Sequence, residues 1–322
     1  MNPFASLGLG SEIVSALTEQ GYETPTPIQT AAIPKALAGH DLLAAAQTGT
    51  GKTAGFTLPM LHRLSESATA PAKGAPRPIR ALVLAPTREL AAQVEESVRA
   101  YGKHLKLKSA VIFGGVGMNP QIERIKKGID ILVATPGRLL DLSASGQVRL
   151  DGVRFLVLDE ADRMLDLGFA DALAEIHLQT QQRQQTMMFS ATFAPRIQQL
   201  AMRVMREGGA HAKRIEIASP QERHANIEQQ LYWADTPEHR RALLDHWLRS
   251  PEIDQAIVFA CTQVECEDLA QDLQQSGFAA VSLHGALSQA LRNRRLKALR
   301  DGRVQILVAT DVAARGLDVP TL

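Results

Sequence analysis

Two parallel sheets, each carrying helices on both faces, are the α/β architecture expected of this sequence, and three observations lead to it. Short apolar runs alternate with helix-length segments along the 322 residues. One run leads into a Gly/Thr-rich loop, and another breaks off into three carboxylates. Such alternation is the pattern of strands packed under helices in a parallel sheet. The runs Leu42–Ala46, Ala81–Ala85, Ala110–Phe113, Ile131–Ala134, Phe155–Leu158, Thr186–Phe189 and Ile215–Ala218 predict the strands of a first domain, residues 1–218. The polar stretch 219–226 reads as a linker, and Gln230–Trp233, Ala256–Ala260, Ala280–Leu283 and Gln305–Ala309 predict the strands of a second domain, residues 227–322. Between Ser67 and Pro78 a Pro/Ala-rich segment without periodicity reads as a surface loop.

Composition narrows the function. At 45% hydrophobic and 21% charged, the chain fits two globular domains and neither a disordered nor a membrane protein. No run approaches the roughly 18 apolar residues of a membrane span, and the opening Met1-Asn2-Pro3-Phe4 lacks a basic region followed by an apolar one, so a cytoplasmic address is expected. Cys261 and Cys266 are too few for a zinc site of four cysteines and oddly spaced for a redox pair, which predicts buried, reduced thiols. The net charge of +1 excludes a basic coat; residues 1–218 hold 24 basic and 20 acidic side chains, and 219–322 hold 11 and 14, so a nucleic-acid surface has to be a local patch.

Ala46-Gln47-Thr48-Gly49-Thr50-Gly51-Lys52-Thr53 follows a predicted strand and opens a predicted helix, the setting of a phosphate-binding loop. Glycines allow the backbone N–H groups to face phosphate oxygens, and the helix N-terminus adds a partial positive charge. Lys52 is then placed to neutralise the β/γ-phosphates and Thr53 to put its hydroxyl on Mg²⁺. Ala46 stands where the strict pattern has glycine. The run Phe155–Leu158 ends in Asp159, Glu160 and Asp162. Unpaired carboxylates are costly to bury, so they belong at the strand's exposed carboxyl end, where parallel sheets bind ligands. There Asp159 is expected to hold Mg²⁺ through water and Glu160 to orient or deprotonate the attacking water, because phosphoryl transfer needs charge neutralisation and in-line placement more than covalent help. Asp162 is left for another partner.

Taken together, these motifs resemble the DEAD-box ATP-dependent RNA helicases, whose name is the one-letter spelling of residues 159–162. The resemblance extends through Gly21-Tyr22-Glu23-Thr24-Pro25-Thr26-Pro27-Ile28-Gln29, Pro86-Thr87-Arg88-Glu89-Leu90, Gly114-Gly115, Thr135-Pro136-Gly137-Arg138, Ser190-Ala191-Thr192, Val258-Phe259 with Thr262, Gln289 with Arg292, and Ala309-Thr310-Asp311 to Arg315-Gly316-Leu317-Asp318. It runs in family order from Phe4 to Asp318 and is most similar in wording to the bacterial RhlE-like branch. The resemblance implies two RecA-like domains, ATP and Mg²⁺ as cofactors, RNA held mainly by its backbone, and RNA-stimulated ATP hydrolysis that unwinds short duplexes locally.

It also implies roles for individual residues. Gln29 is carried over as the reader of adenine, since an amide both donates and accepts, and Phe4 and Tyr22 as packing partners of the base. Core or surface packing is an equal alternative for Tyr22. Arg88, Gly115, Thr135 and Arg138 are carried over as RNA-backbone contacts of the first domain, and Thr262, Arg292 and Thr310 of the second. Ser190 and Thr192 are expected to bond Asp162 and couple the ATP site to RNA, while Gly316 and Asp318 are expected to approach the nucleotide. His284 is expected to be structural. The family's arginine-rich segment, which follows the region of Asp318, is absent from these 322 residues. Because an arginine finger contributes roughly 10³–10⁵ in rate, the expectation is an incomplete, marginal second domain and weak hydrolysis, and an ATP-dependent RNA clamp is the competing reading.

Overall fold

The computed structural model describes residues 2–47, 49–67, 77–217, 228 and 230–314. It divides into two compact units, Met1–Gln221 and Glu222–Leu322. The expected linker, 219–226, lies outside the described residues, as does 68–76 of the Pro/Ala-rich segment.

In the first unit the strands are β1 (Leu42–Ala45), β2 (Ala81–Leu84), β3 (Ser109–Ile112), β4 (Ile131–Ala134), β5 (Phe155–Leu158), β6 (Gln185–Ser190) and β7 (Lys213–Glu216). All are parallel and stand in the order β3-β4-β2-β5-β6-β1-β7. The helices are α1 (Ser11–Glu19), α2 (Pro27–Leu37), α3 (Lys52–Glu66), α4 (Arg88–Tyr101), α5 (Asn119–Lys126), α6 (Pro136–Ala144), α7 (Ala161–Asp166), α8 (Ala170–Gln179) and α9 (Pro195–Val204). Side chains alternate across the sheet. Val83, Val133, Val157 and Phe189 point into one core with α1 to α4, whereas Leu84, Leu132, Leu158 and Met188 point into another with α6 to α9. Helices therefore cover both faces, and β1, β2, β4, β5 and β6 are buried along their length.

The second unit holds β8 (Ala256–Ala260), β9 (Ala280–Leu283) and β10 (Ile306–Thr310), parallel and in the order β8-β10-β9, with α10 (Pro237–Leu248), α11 (Gln263–Gln275), α12 (Gln289–Arg300) and α13 (Asp311–Ala314). Leu273 of α11 packs with Ile306 and Val308, and Leu299 of α12 packs with Leu307 and Ala309, so β10 is covered on both faces, whereas β8 is only partly buried and leaves Phe259 60% exposed.

Three expectations need correction. Gln230–Trp233 is not a strand: no ladder is made there, and Leu231 and Trp233 are 82% and 84% exposed. Apolar, β-prone residues become a strand only when an edge pairs with them, and among the described residues none does. β7 begins at Lys213, earlier than its apolar residues suggest, because an edge strand with only Ile215 buried needs little apolar content. Cys261 is exposed; Cys266 is buried, with Sγ donating to Val308 O at 2.9 Å.

The amino ends of the strands are tied by ion pairs. Asp130, 3% exposed, accepts from Arg80 Nη2 at 2.9 Å, Arg77 Nη1 at 2.8 Å and Lys108 N at 2.9 Å, joining β2, β3 and β4. Removing one partner from such a buried group strands the others. Asp130→Ala is expected to cost the first unit about 3–5 kcal/mol in urea unfolding, and a loss below about 1 kcal/mol would contradict the assignment.

Candidate functional site

Because the strands run parallel, the loops after them line one edge of the first sheet. Read in spatial order, Gly115 follows β3, Thr135 follows β4, Arg88 follows β2, Asp159 follows β5, Ser190 ends β6 and the phosphate loop follows β1. Residues far apart in the chain become neighbours by strand order alone.

The phosphate loop makes its turn with Gly49 and Gly51 at φ +82° and +85°, conformations that an L side chain resists. Thr50 Oγ1 donates to Gln47 O at 2.7 Å, which tightens the turn. Lys52, the first residue of α3, is 6% exposed and donates to Ala46 O at 2.9 Å. Thr53 follows it, half-buried, in the first turn of α3. Thr48 lies outside the described residues. The loop is thus closed on itself, with its lysine held by the carbonyl of the first residue after β1.

Gln29 joins this closure. Its Oε1 accepts from Thr26 N at 2.9 Å, capping α2, and its Nε2 donates to Gly51 O at 3.1 Å. A Cβ on Gly51 would lie 2.4 Å from Gln29 Nε2, so the contact needs glycine as well as its φ. One acceptor and one donor position of the amide that was expected to read adenine are therefore taken up by the protein in this conformation. Phe4, carried over as a packing partner of the base, is 0% exposed and meets Tyr22 edge-on at 6.3 Å. Tyr22 is half-buried and shares a 2.8 Å hydrogen bond with Tyr101 OH.

Asp159 lies 2% exposed at the end of β5, with Oδ1 lacking any partner. Burial pushes its pKa from the ordinary 3.8 up to about 7; Lys52 opposes the rise, Glu160 and Asp162 add to it, and the Glu160 N–H opposes it again. Glu160 occupies the left-handed region, φ 52° and ψ 55°, as the chain turns from β5 into α7. That conformation is uncommon for a residue with a side chain and is typical of strained functional turns.

The expected coupling bonds are not made. Ser190 is 0% exposed with its Oγ unpartnered, Thr192 is exposed, and neither bonds Asp162. Ser190 ends β6 beside β5, whereas Asp162 already belongs to the first turn of α7, beyond the strand end.

On the other half of the edge the structure gathers Arg88, Gly115, Thr135 and Arg138. A Cβ on Gly115, φ +74°, would lie 2.0 Å from Arg88 Nη1, so the guanidinium lies directly on the glycine. Arg138 Nη1 and Nη2 donate to Val116 O at 3.2 and 3.3 Å, and Thr135 N to Ile112 O at 3.1 Å, with Thr135 7% exposed. One short loop after β3 thereby holds both arginines. The bracing side chain is Gln121, 7% exposed, whose Oε1 accepts from Phe113 N at 2.9 Å and whose Nε2 donates to Phe113 O at 3.2 Å. Sequence reasoning missed it, for a lone glutamine carries no motif.

In the second unit, Thr262 caps α11 by accepting from Glu265 N at 3.1 Å, and Thr310 ends the neighbouring β10, 9% exposed. Arg292, carried over as an RNA-backbone contact, lies on α12 at 8% exposure. His284 is 2% exposed with Nε2 2.8 Å from Glu267 Oε1, in keeping with a structural role. Gly316 and Asp318 lie outside the described residues.

Comparison with known proteins finds the DEAD/DEAH box helicase family over residues 26–200 and the helicase conserved C-terminal domain over 238–322. The ATP-dependent RNA helicase SrmB of Escherichia coli (strain K12) is 43% identical over 320 residues, covering 98% of this chain and 70% of that protein. The ATP-dependent RNA helicase DeaD of the same strain is 41% identical over 317 residues, 98% of this chain and 48% of that protein, so this chain spans about half the length of that relative. The structure of S. cerevisiae Dbp5 bound to RNA and ADP BeF3 superposes with a TM-score of 0.86 at 31% identity, covering 100% of this chain and 79% of that one. These matches support the family without singling out the RhlE-like branch. With its tetrad at 159–162 and such relatives across almost its whole length, the chain belongs to the DEAD-box members of the DEAD/DEAH box helicase family.

Proposed function

We propose that this protein is a cytoplasmic ATP-dependent RNA helicase that hydrolyses ATP in order to bind RNA by its backbone and separate short duplexes. The observation that carries the reading is the shared edge of the first sheet: a phosphate loop and a buried acid on one half, two arginines gathered over a glycine loop on the other. The names of SrmB and DeaD, and the RNA and ADP BeF3 bound to Dbp5, support the same activity.

In this reading residues 1–218 form the ATP-binding domain and 227–322 the second helicase domain. Gln47 to Thr53 cradle the phosphates; Lys52 leaves Ala46 O for the β/γ-phosphates, and Gln29 leaves Gly51 O for adenine. The unpartnered Oδ1 of Asp159 and the half-buried Thr53 fit a divalent cation, Asp159 through water. Mg²⁺, when bound there, supplies neutralisation of phosphate charge. Glu160, its backbone turned at the strand end, orients the attacking water and accepts its proton. Arg88, Gly115, Thr135 and Arg138 hold RNA phosphates from the first domain, and Thr262, Arg292 and Thr310 from the second. Asp162, Ser190 and Thr192 couple the two ligands, and Gly316 and Asp318 complete the nucleotide site.

ATP turnover with and without single-stranded RNA tests the proposal. RNA is expected to raise turnover; Glu160→Gln is expected to lower kcat by about 10²–10⁴ while sparing RNA binding with a nonhydrolysable ATP analogue. Nucleotide-linked RNA binding without turnover in the unaltered chain would instead identify a clamp. Arg88→Ala is expected to weaken RNA binding by about 1.5–3 kcal/mol, with ATP affinity retained.

Metal-free protein offers a separate check on Asp159. Its folded-state pKa lies above the unfolded 3.8, so the stability its protonated carboxyl contributes is present in full below that pH and is lost as pH rises through about 7. Asp159→Asn should therefore raise the melting temperature in a chelating buffer at about pH 8, and the gain should shrink as pH falls towards about 4. A gain independent of pH would count against the buried-acid assignment.

A further inference from the structure

β3 is the edge strand of the seven-stranded sheet, and a groove of about 550 Å³ runs beside it between α4 and α5. Its rim carries Arg99, Lys103, Lys108, Arg124 and Lys127 against a single carboxylate, Glu95. Glu19 bonds Lys103 at 2.6 Å, and Glu95 lies 4.0 Å from Arg99 while accepting from Ser109 Oγ at 2.9 Å. The side chains of Lys108, Arg124 and Lys127 are exposed and make no ion pair or hydrogen bond among the described residues. In a chain of net charge +1, that is a local concentration of positive charge.

The groove has two further properties. Leu105, Leu107 and Val111, at every second or fourth position, are partly exposed along its apolar floor. The backbone of β3 is also open. Ile131 N donates to Lys108 O and Thr135 N to Ile112 O, both at 3.1 Å, so alternate residues turn to β4 and Ser109, Val111 and Phe113 turn their N–H and C=O outward. At Phe113 the outward pair is met by the amide of Gln121, a side chain standing in for a neighbouring strand. Ser109 and Val111 have no such backbone partner among the described residues.

We propose that this edge docks an acidic, extended segment of a protein partner, which pairs with Ser109 and Val111 as an added strand, lays alternate apolar side chains on Leu105, Leu107 and Val111, and offers carboxylates to Lys108, Arg124 and Lys127. Strand addition draws affinity from main-chain bonds and specificity from alternate side chains. Single-stranded RNA is the other polyanion such charge could hold, but its phosphates would use neither the apolar floor nor the two open backbone positions. β3 stands five strands from β1, about 24 Å at ordinary strand spacing, so the segment binds without displacing nucleotide.

Fluorescence anisotropy on the full chain tests this with a labelled peptide of alternating Glu and Val. Comparison probes are the same peptide N-methylated along its backbone, a Lys/Val peptide and an oligo(U) strand. The Glu/Val peptide is expected to bind, with ATP leaving its affinity unchanged. Lys108→Glu combined with Lys127→Glu, both exposed and checked for unaltered melting, should weaken it by about tenfold or more, and N-methylation should do the same. No binding of the Glu/Val peptide, or equal binding of its N-methylated form, would overturn the proposal. Charge reversal that weakens oligo(U) and leaves the peptide unaffected would also overturn it, reassigning the groove to RNA.

Discussion

A strand buried on both faces has no room for an unpaired polar group, and the placement of chemistry in the first unit follows from that prohibition. Polar side chains are driven to the ends of the strands, and the two ends treat them differently. At the amino edge every buried polar group is matched: Asp130 with Arg77 and Arg80, Asp41 with Thr186 N, Gln185 with Ala36 O and His40 O. At the carboxyl edge Asp159 Oδ1 and Ser190 Oγ are left unmatched. These two lie on adjacent strand ends beside the phosphate loop, which sets this edge apart from the matched one.

Much of this was legible beforehand, for physical reasons. Ile131–Ala134 and Phe155–Leu158 have the bounds expected from their apolar runs, since burial on both faces leaves no ambiguity of phase. The loop at Gly49–Lys52 was legible because positive φ and close approach demand glycine there. What escaped was everything that depends on a partner distant in sequence. Gln230–Trp233 has the composition of a strand without an edge to pair with. Gln121 acts only because Phe113 happens to lie opposite, and no periodicity encodes that.

In the proposed function the self-held phosphate loop gives nucleotide binding an energetic shape. Lys52 is bonded to Ala46 O and Gln29 to Gly51 O, so phosphates and base would compete with internal partners rather than with bulk water. The apparent affinity is the intrinsic one reduced by the fraction of molecules with the loop open. Substitutions that weaken the Gln29–Gly51 bond therefore act on two quantities of opposite sign: fewer contacts to the nucleotide, and a loop that opens more readily.

In the proposed function Glu160 sits where stability and activity pull apart. Its left-handed backbone is one that glycine would adopt without strain, and in a strained turn of this kind about 1–3 kcal/mol is held against the fold. Selection for heat resistance alone would thus drift towards losing the carboxylate. A stabilised descendant of this protein, evolved without a demand for ATP turnover, would be expected to record that history at position 160 before it altered any residue of the surrounding core.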